Sequence, residues 1–143
     1  MNLLTTTQTN EELENEITAL AANINAATYR FLALIAEFEK RQAWAGDGYR
    51  SCAHWLNVRC GIGLPAARDR VRVALALEAL PNISRAFAEG KLSFSKAREM
   101  TRVANAANED YLLMIAEYGS AHRSPSWCAN TVVWNAVKPA RKR

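Results

Sequence analysis

Two histidines, three cysteines and a few serines and acids are the residues of this chain that could do chemistry, and their spacing argues against it. Cys52 and His54 lie in Ser51 to Cys60, which reads as a short helix closed by Gly61. At about 100° per residue, positions 52 and 54 point roughly 200° apart and cannot share a metal. No fourth ligand stands nearby, and Cys52 and Cys60 read as small apolar core residues. A histidine-metal nuclease needs a histidine base and further ligands on a strand–helix scaffold. His122 is the only other histidine, and no strand pair is readable. Gly61-Ile62-Gly63-Leu64-Pro65-Ala66 fits the letters of a dinucleotide turn, but that turn must follow a strand, and here a helix precedes it. Ser93 and Ser95 have no histidine in a plausible motif, and capping explains Ser93. Asp47 in a turn and Asp69 in the first turn of a helix are separate acids, not a catalytic pair. The expectation is no catalytic residue, no metal ligand, no cofactor and no small-molecule substrate.

What remains is charge. The net charge of +4 equals that of the last six residues, where Lys138, Arg141, Lys142 and Arg143 stand. Residues 1–137 hold 14 basic and 14 acidic side chains, unevenly placed: −3 over 1–44, +5 over 45–104 and −2 over 105–137. Arg68 and Arg72 are one turn apart, and Lys96, Arg98 and Arg102 follow the capped start at Ser93. These five are the candidate nucleic-acid contacts, since a capped basic helix after a short helix and turn is how many DNA readers begin. A solvated helix face, or one matched to the acidic first helix, has the same composition.

These side chains must be positioned by helices. Thr9 to Glu12 has capping-box spacing, and Glu11, Glu12, Glu14 and Glu16 suit the positive end of a helix dipole. Leu13, Ile17, Leu20, Ile24, Ala27, Phe31, Leu34 and Phe38 then recur at intervals of four and three, an a/d seam across almost four heptads. This helix is predicted to run to about Ala45, before Gly46-Asp47-Gly48. The seam is either the spine for the later helices or a pairing face for a second chain. Spine is preferred, because the seam includes Ala27, is flanked by Asn23 and Asn25 and lacks regular Glu/Lys flanks.

Leu64-Pro65 opens the next helix and Pro81 stops it. Its Val71, Val73, Leu75, Leu77 and Leu80 lie around much of the circumference, so it is expected to be central and buried on most sides. Pro81 to Glu89 forms a short helix ended by Gly90, Ser93 caps Phe94 to Ala104, and Asn108 caps Glu109 to Tyr118 before Gly119. The predicted class is all-α, one long N-terminal helix packed with about five shorter ones. Residues 1–10 are expected to be disordered, 11–119 to form the helical domain, and 120–143 to be an atypical basic tail.

A length of 143 residues allows one domain with a single core. No continuous apolar run approaches a membrane span and the polar N-terminus is unlike a secretory signal, so no membrane partner is expected. Cys52, Cys60 and Cys128, odd in number and without a C-x-x-C pair, fit a reducing cytoplasm.

An ordered set of positions resembles a known family. Trp44, Gly46, Gly48, Ser51, Ala53, Trp55, Leu56, Gly61, Leu64, Ala67, Val71, Val73, Ala74, Leu77, Leu80, Pro81, Gly90, Leu92, Ser93, Lys96, Ala97 and Ala104 are similar to the domain of unknown function 222, or 13E12 repeat family. The resemblance spans roughly Leu13 to Gly119. It implies an all-helical, non-catalytic bacterial domain that commonly precedes an HNH nuclease domain; no HNH region is readable before Arg143. The pattern stops near Arg123-Ser124-Pro125-Ser126-Trp127. Read from each third base, the degenerate codons of Arg123 to Lys142 permit S-E-S-K-L-V-R-Q-Y-R-R-V-E-R-S-E-T-R-E, a charged helix like the family's own continuation. The tail is therefore expected to come from a single-nucleotide frame change and to be loosely packed.

The expected function is a non-catalytic accessory domain of an HNH-associated protein, as a truncated product lacking the nuclease. The alternatives are an autonomous DNA-binding or regulatory module using the basic middle, and a homodimer built on the first helix.

Overall fold

The computed structural model describes residues 7–121, and side chains as far as residue 117. Among the described residues the helices are α1 (Asn10–Lys40), α2 (Cys52–Cys60), α3 (Leu64–Leu77), α4 (Pro81–Ala88), α5 (Phe94–Met100) and α6 (Glu109–Ala121), with a 3-10 turn at Ala45–Asp47 and no strand. The expected class, one long helix followed by about five shorter ones, is the observed one. Met1 to Thr6, His122 and the whole proposed frame-change segment lie outside the described residues.

Local chemistry sets most boundaries. Thr9 Oγ1 accepts the Glu12 N–H at 3.2 Å while Glu12 Oε2 accepts the Thr9 N–H at 2.8 Å, the reciprocal box the spacing predicts. Ser51 Oγ accepts the His54 N–H at the start of α2, and Gly61 ends it at φ 70°. Pro65 and Pro81 sit in the first turns of α3 and α4, where no N–H is needed. Ser93 Oγ accepts the Lys96 N–H at the start of α5.

Three helix ends and one cap differ from expectation. α1 stops at Lys40, not near Ala45: Gln42 adopts φ 48°, its N–H bonds Glu39 O at 2.9 Å, and the Ala43 N–H bonds Phe38 O at 3.2 Å. This is the Schellman closure, made without its usual glycine. α5 ends at Met100, and 101–103 continue as a turn held by Ala104 N–H to Met100 O at 2.8 Å. α6 continues through Gly119 to Ala121. Its lead-in is capped by Asn105, whose Oδ1 accepts the N–H groups of Ala107 and Asn108 at 2.8 and 3.0 Å. Asn108, the expected cap, instead reaches back, its Oδ1 accepting the Asn105 N–H at 2.7 Å.

The core is built from Leu32 of α1, Leu56 of α2, Val73 of α3, Ile83 and Phe87 of α4, Leu92, Met100 of α5 and Leu112 of α6, all buried. As expected, α3 is central, touching α1, α2, α4 and α5, although its Leu75 faces outward. The carboxylate of Glu109, buried at the start of α6, accepts the Ile83 N–H of α4 at 2.6 Å. A side chain distant in sequence thus caps a helix whose own preceding residue, Leu80, cannot.

The preferred role of the heptad seam is corrected. α1 packs on the body through Asn25, Tyr29, Leu32, Ile35 and Ala36, and of the seam only Phe31 and Phe38 join them, each partly buried. At 100° per residue this face lies roughly 120° around the helix from Ile17, Leu20, Ile24 and Leu34. A close approach at Gly90 goes with that rotation. Gly90, at φ 81°, lies so near α1 that a Cβ on it would overlap the Ala22 carbonyl oxygen, and Asn25 Nδ2 donates to Gly90 O at 3.3 Å.

Candidate interaction site

The residues capable of chemistry have structural partners. His54 Nδ1 accepts the Arg50 N–H at 3.2 Å, and its ring meets Tyr49 edge-on with centroids 5.5 Å apart. Cys52 is buried, and desolvation, aided by Glu39, pushes its thiol up to about 11. Cys60, expected in the core, is exposed at the last turn of α2, where the helix faces solvent. Gly61 and Gly63 are the C-cap of α2 and the N-cap of α3. A cavity of about 140 Å³ beside α1, lined by Tyr29, Ala36, Leu77 and Ser84 among others, is smaller than the roughly 300 Å³ at which small-ligand sites begin.

Part of the basic middle comes together where α3 meets α5. Arg72 Nη1 donates to Thr101 Oγ1 and Nη2 to Arg98 O, both at 3.3 Å, tying the two helices together. Asp69, expected in the first turn of α3, stands in its second. It lies 3.9 Å from Arg72 Nε and 3.6 Å from Arg98 Nη1. Glu99 lies between Arg98 and Arg102, at 3.5 and 3.8 Å. Arg68 is exposed on α3, Lys96 is partly buried on α5, and Arg70, which the sequence reading did not single out, stacks over Phe94 at 4.6 Å. Three of the five candidate contacts, Arg72, Arg98 and Arg102, thus share two acids and serve partly as struts. At this exposure such pairs are worth little each, so the face keeps its surplus of cations.

α1 presents a different surface. Ile17, Leu20, Ile24 and Leu34 are 66, 53, 63 and 66 % exposed, against 0 % for Leu32 on the body face. A lone exposed leucine means nothing, but a periodic apolar row on one helix does. From Glu14 to Ala21 every side chain is exposed, so the first half of α1 stands clear of the body. Toward the other end Phe38 is covered by Trp55 of α2, with ring centroids 4.6 Å apart, and Lys40 pairs with Glu78 of α3 at 2.7 Å. By length and composition α1 could cross a membrane. Asn23, Asn25 and Arg30 interrupt its apolar run, and Asn25 is bonded to Gly90.

A family model described as a domain of unknown function, DUF222, matches residues 11–131. The chain belongs to that family. Comparisons with curated proteins and with solved structures gave no match. The DUF222 match begins one residue into α1 and runs beyond Gly119, into the segment read from sequence as an atypical tail. It includes all of α1 but Asn10, so the outward seam belongs to the DUF222 domain itself and is not an appendage to it.

Proposed function

We propose that this DUF222 domain is a non-catalytic helical accessory module that acts by association, as the resemblance to domains preceding HNH nucleases implies. The observation that carries the reading is the outward seam of α1: the most regular apolar pattern in the sequence turns Ile17, Leu20, Ile24 and Leu34 away from the core. Burying such a row on a partner is the ordinary reason for a helix to keep one. The test places a photo-crosslinking residue at position 20 on the seam and, separately, at position 85, an exposed site on α4. Protein adducts concentrated at position 20 support the reading, and equal labelling at both positions overturns it. Supercoiled plasmid incubated with the purified protein and magnesium, manganese, zinc or nickel should stay intact. Nicking that co-purifies with the protein and disappears in His54→Ala would end the non-catalytic half.

A second reading is favoured by the α3–α5 face, where Arg68, Arg70, Arg72, Lys96, Arg98 and Arg102 outnumber Asp69 and Glu99. Such a surplus suits phosphate contacts, with an affinity that falls steeply with salt.

A further inference from the structure

We infer that the α1 seam is an antiparallel homodimer interface, the occupant being a second copy of this chain. This rests on the associative reading above and goes beyond it by naming the partner and its direction. Ile17, Leu20, Ile24, Ala27, Phe31 and Leu34, of which Phe31 is also partly buried against the body, are separated by three, four, three, four and three residues, a spacing that reads the same from either end. A twofold axis midway between Ile24 and Ala27 pairs Ile17 with Leu34, Leu20 with Phe31 and Ile24 with Ala27, each twice. The result is six layers along roughly 27 Å of helix. No layer sets a side chain against its own kind, the largest, Phe31, meets Leu20, and the smallest, Ala27, meets Ile24, so knobs find holes. A parallel, in-register pair would stack Ala27 on Ala27 and Phe31 on Phe31.

Charge points the same way. A parallel pair brings Glu11, Glu12, Glu14 and Glu16 of both chains together at one end, a like-charge cost without relief. The antiparallel pair instead carries that acidic end of each copy to the other's net-neutral end, where Glu11 comes opposite Lys40 and where Lys40 and Arg41 already offset Glu37 at 3.3 and 2.7 Å. Trp55 over Phe38 closes the seam at its far end, which sets its length at six layers. The same charges disfavour a lipid surface: an anionic bilayer repels the four glutamates, and the flanks Asn23 and Arg30 keep the apolar strip narrow.

The test is sedimentation velocity on the full chain over a hundredfold range of concentration. The expected result is a reversible monomer–dimer equilibrium. Ile24→Asp and, separately, Leu20→Gln should each raise the dissociation constant by more than about tenfold. The monomer's circular dichroism should be preserved, because both side chains face solvent. Direction is read by oxidative cross-linking in a background with Cys60 and Cys128 replaced by serine. Chains carrying Ile17→Cys should link to chains carrying Leu34→Cys, and neither should link to its own kind. A monomer at all concentrations, a dimer indifferent to both seam substitutions, self-linking of Leu34→Cys chains, or binding to phosphatidylglycerol vesicles in place of self-association would overturn the inference. If the crosslinker at position 20 then captures a different protein, the associative reading survives without the homodimer.

Discussion

Gly90→Ala and Gly61→Ala make the same chemical change in two surroundings, and the structure predicts different costs. Both glycines hold left-handed conformations at helix ends, φ 81° at Gly90 and φ 70° at Gly61. An L side chain there costs about 1–2 kcal/mol. Alanine also narrows the unfolded ensemble, which returns about 0.4–1 kcal/mol. Gly61 has nothing within 4 Å of an added Cβ, so its substitution should cost about 1 kcal/mol net. At Gly90 the Cβ would overlap the backbone of Ala22, which cannot swing aside as a side chain could. Forcing apart a packed contact adds about 1–3 kcal/mol. The total is about 2–4 kcal/mol, a large part of the stability of a domain this size. The strain should also stretch the Asn25 bond to Gly90 O. Equilibrium urea unfolding measures the contrast. With a slope near 2 kcal/mol per molar, the Gly90 midpoint should fall about 1 M further than that of Gly61. If both variants lose the same stability, α1 is not seated on Gly90 and the rotation that turns the seam outward loses its support.

Glu109→Ala should cost about 2–3 kcal/mol by stranding the buried Ile83 N–H, whereas Glu109→Gln keeps an acceptor and should cost about 1 kcal/mol. Equal losses in urea unfolding would show that the carboxylate does not cap α4. With its thiol pushed up to about 11, Cys52 should resist iodoacetamide at pH 8, the Cys52 thiolate becoming abundant only as pH nears 11, while exposed Cys60 reacts. Comparable labelling of the two peptides by mass would contradict the burial of Cys52. Arg72→Gln should lower stability by about 1 kcal/mol through its lost bonds to α5, while Arg68→Gln should change it by less than about 0.5 kcal/mol. Arg68→Gln should instead reduce by about one the salt slope of any DNA affinity held on this face. An unchanged slope across salt titrations removes Arg68 from that role.

Helix order was legible wherever a residue type carries its own stop or start. Thr9, Ser51, Pro65, Pro81 and Ser93 begin helices, and Gly61 and Gly90 end them, because caps are decided within a turn of chain. The end of α1 was hidden because glutamine does the work of glycine at Gln42. The asparagine pair was misread because Asn105 and Asn108 both fit a cap, and their mutual bonding settles the register. The orientation of α1 was hidden for a deeper reason. Two of its faces are apolar, and the one that packs is irregular, mixing Ala22, Asn25 and Tyr29 with Leu32 and Ala36. It is selected by Gly90, far away in sequence. The arginines were found by type, but Asp69 and Glu99 become their shared partners only once α3 lies against α5.

The half of α1 that stands clear of the body has a thermodynamic character of its own. A helical stretch of that length is marginal by itself, and this one draws on the Thr9 box at its tip and continuity with the anchored half. Amide exchange should therefore grade along a single helix, fast near Leu13 and slow near Ile35. Any partner that seats on the seam must also meet the cost of holding the free half helical. Affinity then depends on residues that touch no partner. Thr18, whose hydroxyl bonds Glu14 O at 2.7 Å, is one. A better helix former at that position would tighten binding from the opposite side of the helix, by raising the population already shaped to bind.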